Sequence, residues 1–353
     1  MIVVKNKKRD PMISIAKAIG IILMVMGHVY DKESWGVHFI YMFHMPLFFV
    51  LSGYFFKAPQ NFEQLLKFTK KKIIGLYLPY LLWTILFVFL HNFLLKFGIG
   101  EQTYSWNVAI GCVCRSALTF VTTENVLVGF WFLKALFSAC IFLAIVLFVT
   151  RKIRLDIYQI AIVALLLVSL LIALDFFNKT LLGMFYGTCF LCVGFLLRKN
   201  KIAEKENGVR WILLLTCVVL LISRIYTEVS NTEMLSVDKI TYLPFVITGS
   251  CGSIMVILCS QKISSVKSFK ILDVIRYIGD HTLIILAMHY PLIKIFDFYF
   301  VQNVEGMNSV RLISGGVLGV LLPILFYKIY ETIKKKILAL IPQHFDLTLF
   351  ISS

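Results

Sequence analysis

Ser14-Ile-Ala-Lys-Ala-Ile-Gly-Ile-Ile-Leu-Met-Val-Met-Gly-His28 is almost wholly apolar, yet it carries Lys17 and His28. Phe43-His44-Met45-Pro46-Leu47-Phe48-Phe49-Val50-Leu51-Ser52-Gly53-Tyr54 follows it, again apolar apart from His44 and Ser52. Both stretches read as helices. Lys17 and His28 are eleven residues apart, about three turns at ~100° per residue, so they share one helix face with ~16 Å of rise between them. A cation and an imidazole on one stripe of a greasy helix are costly unless that stripe lines a polar cavity. The chemistry of the chain is expected there.

The rest of the chain agrees with a lipid solvent. Of 353 residues 59% are hydrophobic and 15% charged, and the mean hydropathy is +0.86. A soluble domain is nearer half apolar and a quarter charged, so the chain reads as an integral membrane protein with membrane lipids as its surroundings. Its net charge of +16 comes from short basic clusters between apolar runs, the pattern of cytoplasmic loops, and nucleic acid is a poor partner for it. The eight cysteines give no disulfide framework, since most lie inside apolar runs where Cys packs as a small hydrophobe. Cys112-Val-Cys114 and Cys189-Phe-Leu-Cys192 have metal-like spacing, but no cluster of His or carboxylates completes a site, and no metal is expected. Residues 1–30 imitate a signal peptide. Gly27-His28-Val29-Tyr30 is wrong for small-x-small cleavage, so an uncleaved first span is expected.

Crossing a hydrocarbon core of ~30 Å takes about 20 apolar residues. Ten spans are predicted at 12–30, 38–56, 73–95, 127–149, 157–175, 180–197, 210–227, 241–260, 278–298 and 311–330, making an all-α polytopic membrane protein. With the N-terminus inside, 25 Lys and Arg fall in inner segments and 6 in outer ones, so both termini are expected in the cytoplasm. The domain reading is a basic N-terminus (1–11), a transmembrane domain (12–336) and a short, mildly amphipathic tail (337–353). The outer segment 96–126 is long, and its apolar part, 106–121, is expected to be an interfacial or re-entrant helix roofing the outer face. No internal repeat is visible.

Topology sorts the polar groups by depth. His28 and His44 fall toward the outer ends of their spans, Trp131 and Lys134 near the outer end of the fourth, and Lys17 deeper. His289 lies in the ninth span, sharing a face with Thr282. For His44 and His289 a plain structural hydrogen bond competes evenly with a functional role, and Lys134 and Lys294 read equally well as snorkelling side chains. His38, His91 and His344 sit beside helix ends and are given no role. Carboxylates are scarce in the spans: Asp175, Asp280 and Asp297 fall near helix ends, and Asp31 follows the first span. With no paired intramembrane acids, Walker-type loop, HExxH or GxSxG, the sequence gives nucleotide hydrolysis and zinc proteolysis no support.

These residues resemble acyltransferase family 3, in its fucose O-acetylase-like branch. The family's first span carries a basic residue and, eleven positions on, a His, matched by Lys17 and His28. Phe43-His44-Met45-Pro46-Leu47-Phe48-Phe49 leading to Ser52-Gly53 resembles its second-helix signature, and Trp131-Phe132-Leu133 its Trp-Phe-Leu segment. Ile278-Gly279-Asp280-His281-Thr282-Leu283 leading to His289-Tyr290-Pro291 resembles its motif near the C-terminus. Two departures stand out. Lys17 replaces the Arg of many members, and Lys70-Lys71-Lys72 stands where a basic-x-x-basic motif is usual.

The resemblance implies a cell-membrane O-acetyltransferase that moves an acetyl group from cytoplasmic acetyl-CoA to a hydroxyl of a glycan or lipid-linked sugar. It implies His28, Lys17 and His44 as catalytic residues, with His28 either the general base or a transiently acylated group. Trp131, Ser52 and His289 would bind substrate. Lys70, Lys71, Lys72 and Arg276 crowd the inner ends of the third and ninth expected spans and are expected to border the acyl-CoA entrance, where they can hold its phosphates, with ordinary positive-inside anchoring an equal alternative for any one of them. A sugar hydroxyl is a weak nucleophile that needs a base near neutral pKa, which suits His. The competing reading is a transporter or flippase of a lipid-linked sugar, in which the same groups bind without chemistry.

Overall fold

The computed structural model describes residues 10–30, 34–152, 156–174, 179–202, 207–226, 234, 242–266, 270–300 and 308–340. The described residues are helical with no strand. In chain order the helices are α1 (Pro11–Val29), α2 (Trp35–Tyr54), α3 (Phe62–Lys72), α4 (Leu78–Leu94), α5 (Trp106–Thr119), α6 (Trp131–Val149) and α7 (Ile157–Ala173). They continue as α8 (Lys179–Lys199), α9 (Asn207–Tyr226), α10 (Tyr242–Ser264), α11 (Lys270–Asp280), α12 (Thr282–Phe300) and α13 (Asn308–Leu340). The protein is an all-α polytopic membrane protein. The basic N-terminus (Lys5, Lys7, Lys8 and Arg9), Asp31, Asp175 and the tail beyond Leu340 lie outside the described residues.

Each of the ten expected spans falls on a helix, with adjustments. Among the described residues, 8 helices are long and apolar enough to cross a membrane. The fifth expected span is a shorter apolar helix, Ile157–Ile172, and the seventh is α9. The ninth needs correction. The chain breaks at His281 between α11 and α12, so the span begins at Thr282 rather than 278, and Arg276 and Asp280 belong to a separate helix. The expected boundary at 336 also falls inside α13, which runs to Leu340.

The chain divides into two compact units, Met1–Thr69 with Trp131–Thr282, and Lys70–Phe130 with Leu283–Ser353. In the first unit α2 is the hub, with α1, α8 and α10 all packed on it. Small residues make that possible, because without a hydrophobic drive between helices in lipid, association rests on close van der Waals approach. At Gly53 and Gly194 the backbones of α2 and α8 touch: a Cβ on Gly194 would overlap the Val50 carbonyl, and one on Gly53 the Leu191 carbonyl. On α10, Gly249 receives Pro46 and Gly252 receives Phe43. Facing outward, α9 shows Trp211, Ile212, Leu215, Val219 and Ile222, an apolar face suited to lipid.

Together α3 and α4 form one helix from Phe62 to Phe97, which passes from the first unit into the second at Lys70 and has a π-turn at Ile73–Tyr77. Pro79 explains the turn: it cannot donate to the carbonyl four residues back, and the register widens so that the Leu78 N–H reaches Ile73 O. The segment 106–121 does form a helix, α5, but it does not cap the end of α4. It runs antiparallel beside it: Trp106 lies against Phe89 at 6.0 Å, while the Tyr77 hydroxyl donates to Ala117 O at 2.6 Å and the Tyr80 hydroxyl to Ser116 O at 3.3 Å. That geometry fits the re-entrant alternative. The turn at Phe120, in the left-handed region at φ 54, is held between Tyr77 and Tyr80 at 5.1 and 4.4 Å.

Candidate active site

The first turn of α1 is fixed by Asp10, whose side chain accepts from Met12 N at 3.0 Å, with Pro11 preset for the first helical position. Along this helix Gly20 meets Leu47 and Phe48 of α2, and Gly27 meets Tyr41. These contacts define the α2-facing side. On the far side Gly279 of α11 packs against the Ser14 backbone, and the Ser14 hydroxyl donates to Asp280 Oδ1 at 2.7 Å. At ~100° per residue the Lys17–His28 stripe lies between these two faces, about 60–100° from the α2-facing glycines and about 40–60° from Ser14. Both side chains are half-buried. The stripe is therefore a seam flanked by α2 and α11.

His28 sits in the last turn of α1. His44 is buried, and its Nδ1 lies 2.9 Å from Ile40 O. A carbonyl only accepts, so Nδ1 carries the proton and Nε2 keeps its lone pair. Pro46, two residues on, removes another backbone donor from this turn of the helix. Tyr41 links this end of α1 to His44. Its hydroxyl donates to Gly27 O at 3.0 Å, satisfying one of the last four carbonyls of α1, and its ring lies 5.1 Å from His44.

Tyr41 escapes the sequence reading because an aromatic at helical spacing reads as core. Its one signal is a tyrosine a turn before a His that is itself predicted to face a polar site. Tyr41→Phe keeps the ring packing and removes the hydrogen bond. The expected cost is about 0.5–1.5 kcal/mol of stability, which thermal unfolding in detergent measures.

The other predicted residues are spread more widely. Trp131 opens α6, its ring 6.4 Å from Phe132, which packs on Phe48 and Phe49 of α2 at 5.6 and 5.2 Å. Ser52 is half-buried on α2, two turns and ~12 Å along the helix from His44, so it is not beside the histidine pair. Arg276 donates to Asp273 on its own helix at 3.1 Å. Asp280, which sequence placed only near a helix end, ties α11 to α1 one turn from Lys17.

His289, Lys70, Lys71 and Lys72 belong to the second unit. His289 is fully buried, and its Nδ1 lies 2.9 Å from Ile285 O and 3.0 Å from Leu286 O, so Nε2 keeps its lone pair as in His44. Lys70, Lys71 and Lys72 form the last turn of α3, the first two exposed and the third half-buried. Cations there also complement the helix dipole. Among the described residues no group of three His, Cys, Asp or Glu side chains gathers as a metal site.

A family model described as an acyltransferase domain matches residues 11–328. No curated protein and no solved structure matches the chain.

Proposed function

The chain belongs to acyltransferase family 3 and is a multi-pass membrane acyltransferase, and from that premise we propose that it transfers an acetyl group from acetyl-CoA to a hydroxyl of a cell-surface or lipid-linked glycan. What supports the reading is the link from the end of α1 to His44: the Tyr41 hydroxyl donates to the carbonyl of Gly27, the residue before His28, at 3.0 Å and its ring lies 5.1 Å from His44, with Lys17 ~16 Å from His28 along the same stripe. One imidazole with a lone pair takes the proton of the acceptor hydroxyl as oxygen attacks the thioester carbonyl. The thiolate of CoA then leaves and is protonated. Lys17 steadies the polarised donor below the histidines. Assignment to the cell membrane and to the fucose O-acetylase-like branch belongs to this proposal too.

The donor enters from the side where the lysines cluster. Acyl-CoA is strongly anionic, and Lys70, Lys71 and Lys72 offer it point charges that salt screens. Replacing all three by Gln is expected to weaken CoA binding to the purified protein by about tenfold or more, at roughly 1.4 kcal/mol per decade. Wild-type binding should weaken in turn as salt is raised. Unchanged affinity in the triple variant assigns these lysines to topology alone.

The reaction itself is tested by incubating purified protein with acetyl-CoA and surface polysaccharide, following free CoA and the acetyl content of the glycan by mass spectrometry. CoA release matched by O-acetyl ester is the expected result. Sugar binding without any CoA release overturns the acyltransferase chemistry and leaves a carrier of sugar.

A further inference from the structure

The first unit holds a cavity that the proposed chemistry does not use. It lies where the start of α9 meets the end of α10, the end of this helix pair that the charge asymmetry of the chain assigns to the cytoplasm. It measures about 360 Å3, and its lining includes Arg210, Trp211 and Leu214 of α9 with Leu258, Gln261 and Lys262 of α10. Two contacts set the register of the pair. Arg210 Nη1 donates to Gln261 Oε1 at 3.2 Å, and the Lys262 ammonium lies 4.1 Å from the centre of the Trp211 ring. A guanidinium only donates, so the Gln261 amide turns its oxygen to Arg210 and keeps its NH2 group as a donor.

From that level the lining changes character with depth. Leu214 stands four residues into α9 from Arg210, and Leu258 four residues back along α10 from Lys262, each ~6 Å further into the span. The cavity therefore has cations and an amide at its mouth and leucines at its floor. Among the described residues that line it, none is Asp or Glu. Trp211 is 54% exposed and joins Ile212 and Leu215 on the apolar face that α9 turns outward. One wall of the cavity is thus continuous with the lipid-facing side of the bundle.

We propose that this cavity binds an anionic phospholipid, with its phosphate diester at Lys262 and Arg210 and the upper part of an acyl chain on Leu214 and Leu258. Nothing in it rests on the acetyl-transfer reading. Charge complementarity selects the headgroup: a phosphate attracts both cations and accepts from the Gln261 amide, and basic pockets between spans on the cytoplasmic side suit such groups. A zwitterionic headgroup would bring its own cation toward Lys262 and gain less. The order with depth selects a lipid over a soluble phosphate. Inorganic phosphate or the phosphates of CoA would fill the mouth and leave the leucines uncovered, whereas a lipid places phosphate above hydrocarbon in the same sequence as the cavity. The bound lipid would also tie α9 to α10.

The test is native mass spectrometry of the full chain, stripped of lipid in detergent and offered phosphatidylglycerol and phosphatidylcholine with matched acyl chains. Wild type should retain phosphatidylglycerol several-fold over phosphatidylcholine. That retention should fall several-fold in Lys262→Gln and about tenfold when Arg210→Gln is added, with phosphatidylcholine unchanged. Arg210→Gln also breaks the bond to Gln261, so Lys262→Gln is the discriminating variant: the side chain is exposed, and its replacement should leave the lipid-free melting temperature unchanged. Lys328→Gln, at an exposed lysine of α13, controls for general attraction to a basic protein and should behave as wild type. Equal retention of the two lipids, or an equal loss in Lys328→Gln and Lys262→Gln, overturns the proposal. Inorganic phosphate and CoA are offered in separate arms. Binding of either that displaces phosphatidylglycerol and weakens in Lys262→Gln overturns the lipid assignment in favour of a soluble phosphate.

Discussion

His28→Ala lowers acetyl transfer by about 10²–10⁴, the usual loss when a general base is removed, while protein level and CoA binding stay near wild type. The expectation rests on position. His28 is half-buried in the last turn of α1, next to Gly27, whose carbonyl Tyr41 ties to the turn that carries His44, and it shares its helix face with Lys17. His44→Ala should cost less. Its Nδ1 is committed to Ile40 O, so its remaining nitrogen can orient the acceptor or tune His28 without carrying the main proton transfer. In vivo O-acetylation of surface glycan, with the protein quantified by blot, ranks the two. Near-normal acetylation in His28→Ala transfers the role of base to His44 or His289.

The membrane class, the helical spans and the Lys17–His28 stripe were all legible in the sequence, because each depends on local hydropathy and on the 3.6-residue period. The partners of that stripe were not. Ser14 and Asp280 are 266 residues apart, and no spacing rule joins them. The break at His281 was equally hidden. Ile278 to Leu283 mixes apolar residues with Asp280, His281 and Thr282, so hydropathy does not say at which of them the span begins, and the packing of Gly279 on Ser14 and the His281 Nδ1 bond to Tyr277 O at 2.8 Å show where α11 ends. His91 was set aside as a side chain near a helix end. Its partner Glu124 lies 33 residues on, beyond the reach of helical spacing. The roof expected of α5 became a helix beside α4 because tyrosine hydroxyls at positions 77 and 80 seek its carbonyls. Period and composition thus reach as far as single helices, and polar pairing over long separations sets the rest.

Gly194→Ala is expected to prevent accumulation of folded protein, although alanine is the better helix former. The intrinsic gain of alanine over glycine in a helix interior is about 0.5–1 kcal/mol. Against it stands a collision with backbone. The new Cβ would overlap the Val50 carbonyl and lie 2.7 Å from Tyr54 N, and neither can swing aside as a side chain would. Overpacking a core costs typically about 1–3 kcal/mol where side chains can adjust, and here two helices must move apart. The penalty spreads, because α2 also carries His44 and Tyr41 and is the surface on which α1, α8 and α10 pack. Gly111→Ala is the matched control: it lies within α5 with nothing within 4 Å of its Cβ position, so the propensity gain acts alone and stability should rise slightly. Size-exclusion profiles and thermal unfolding of the two variants in detergent decide the matter. A well-folded Gly194→Ala as stable as wild type would falsify the backbone-to-backbone crossing of α2 and α8 on which the geometry of the site depends.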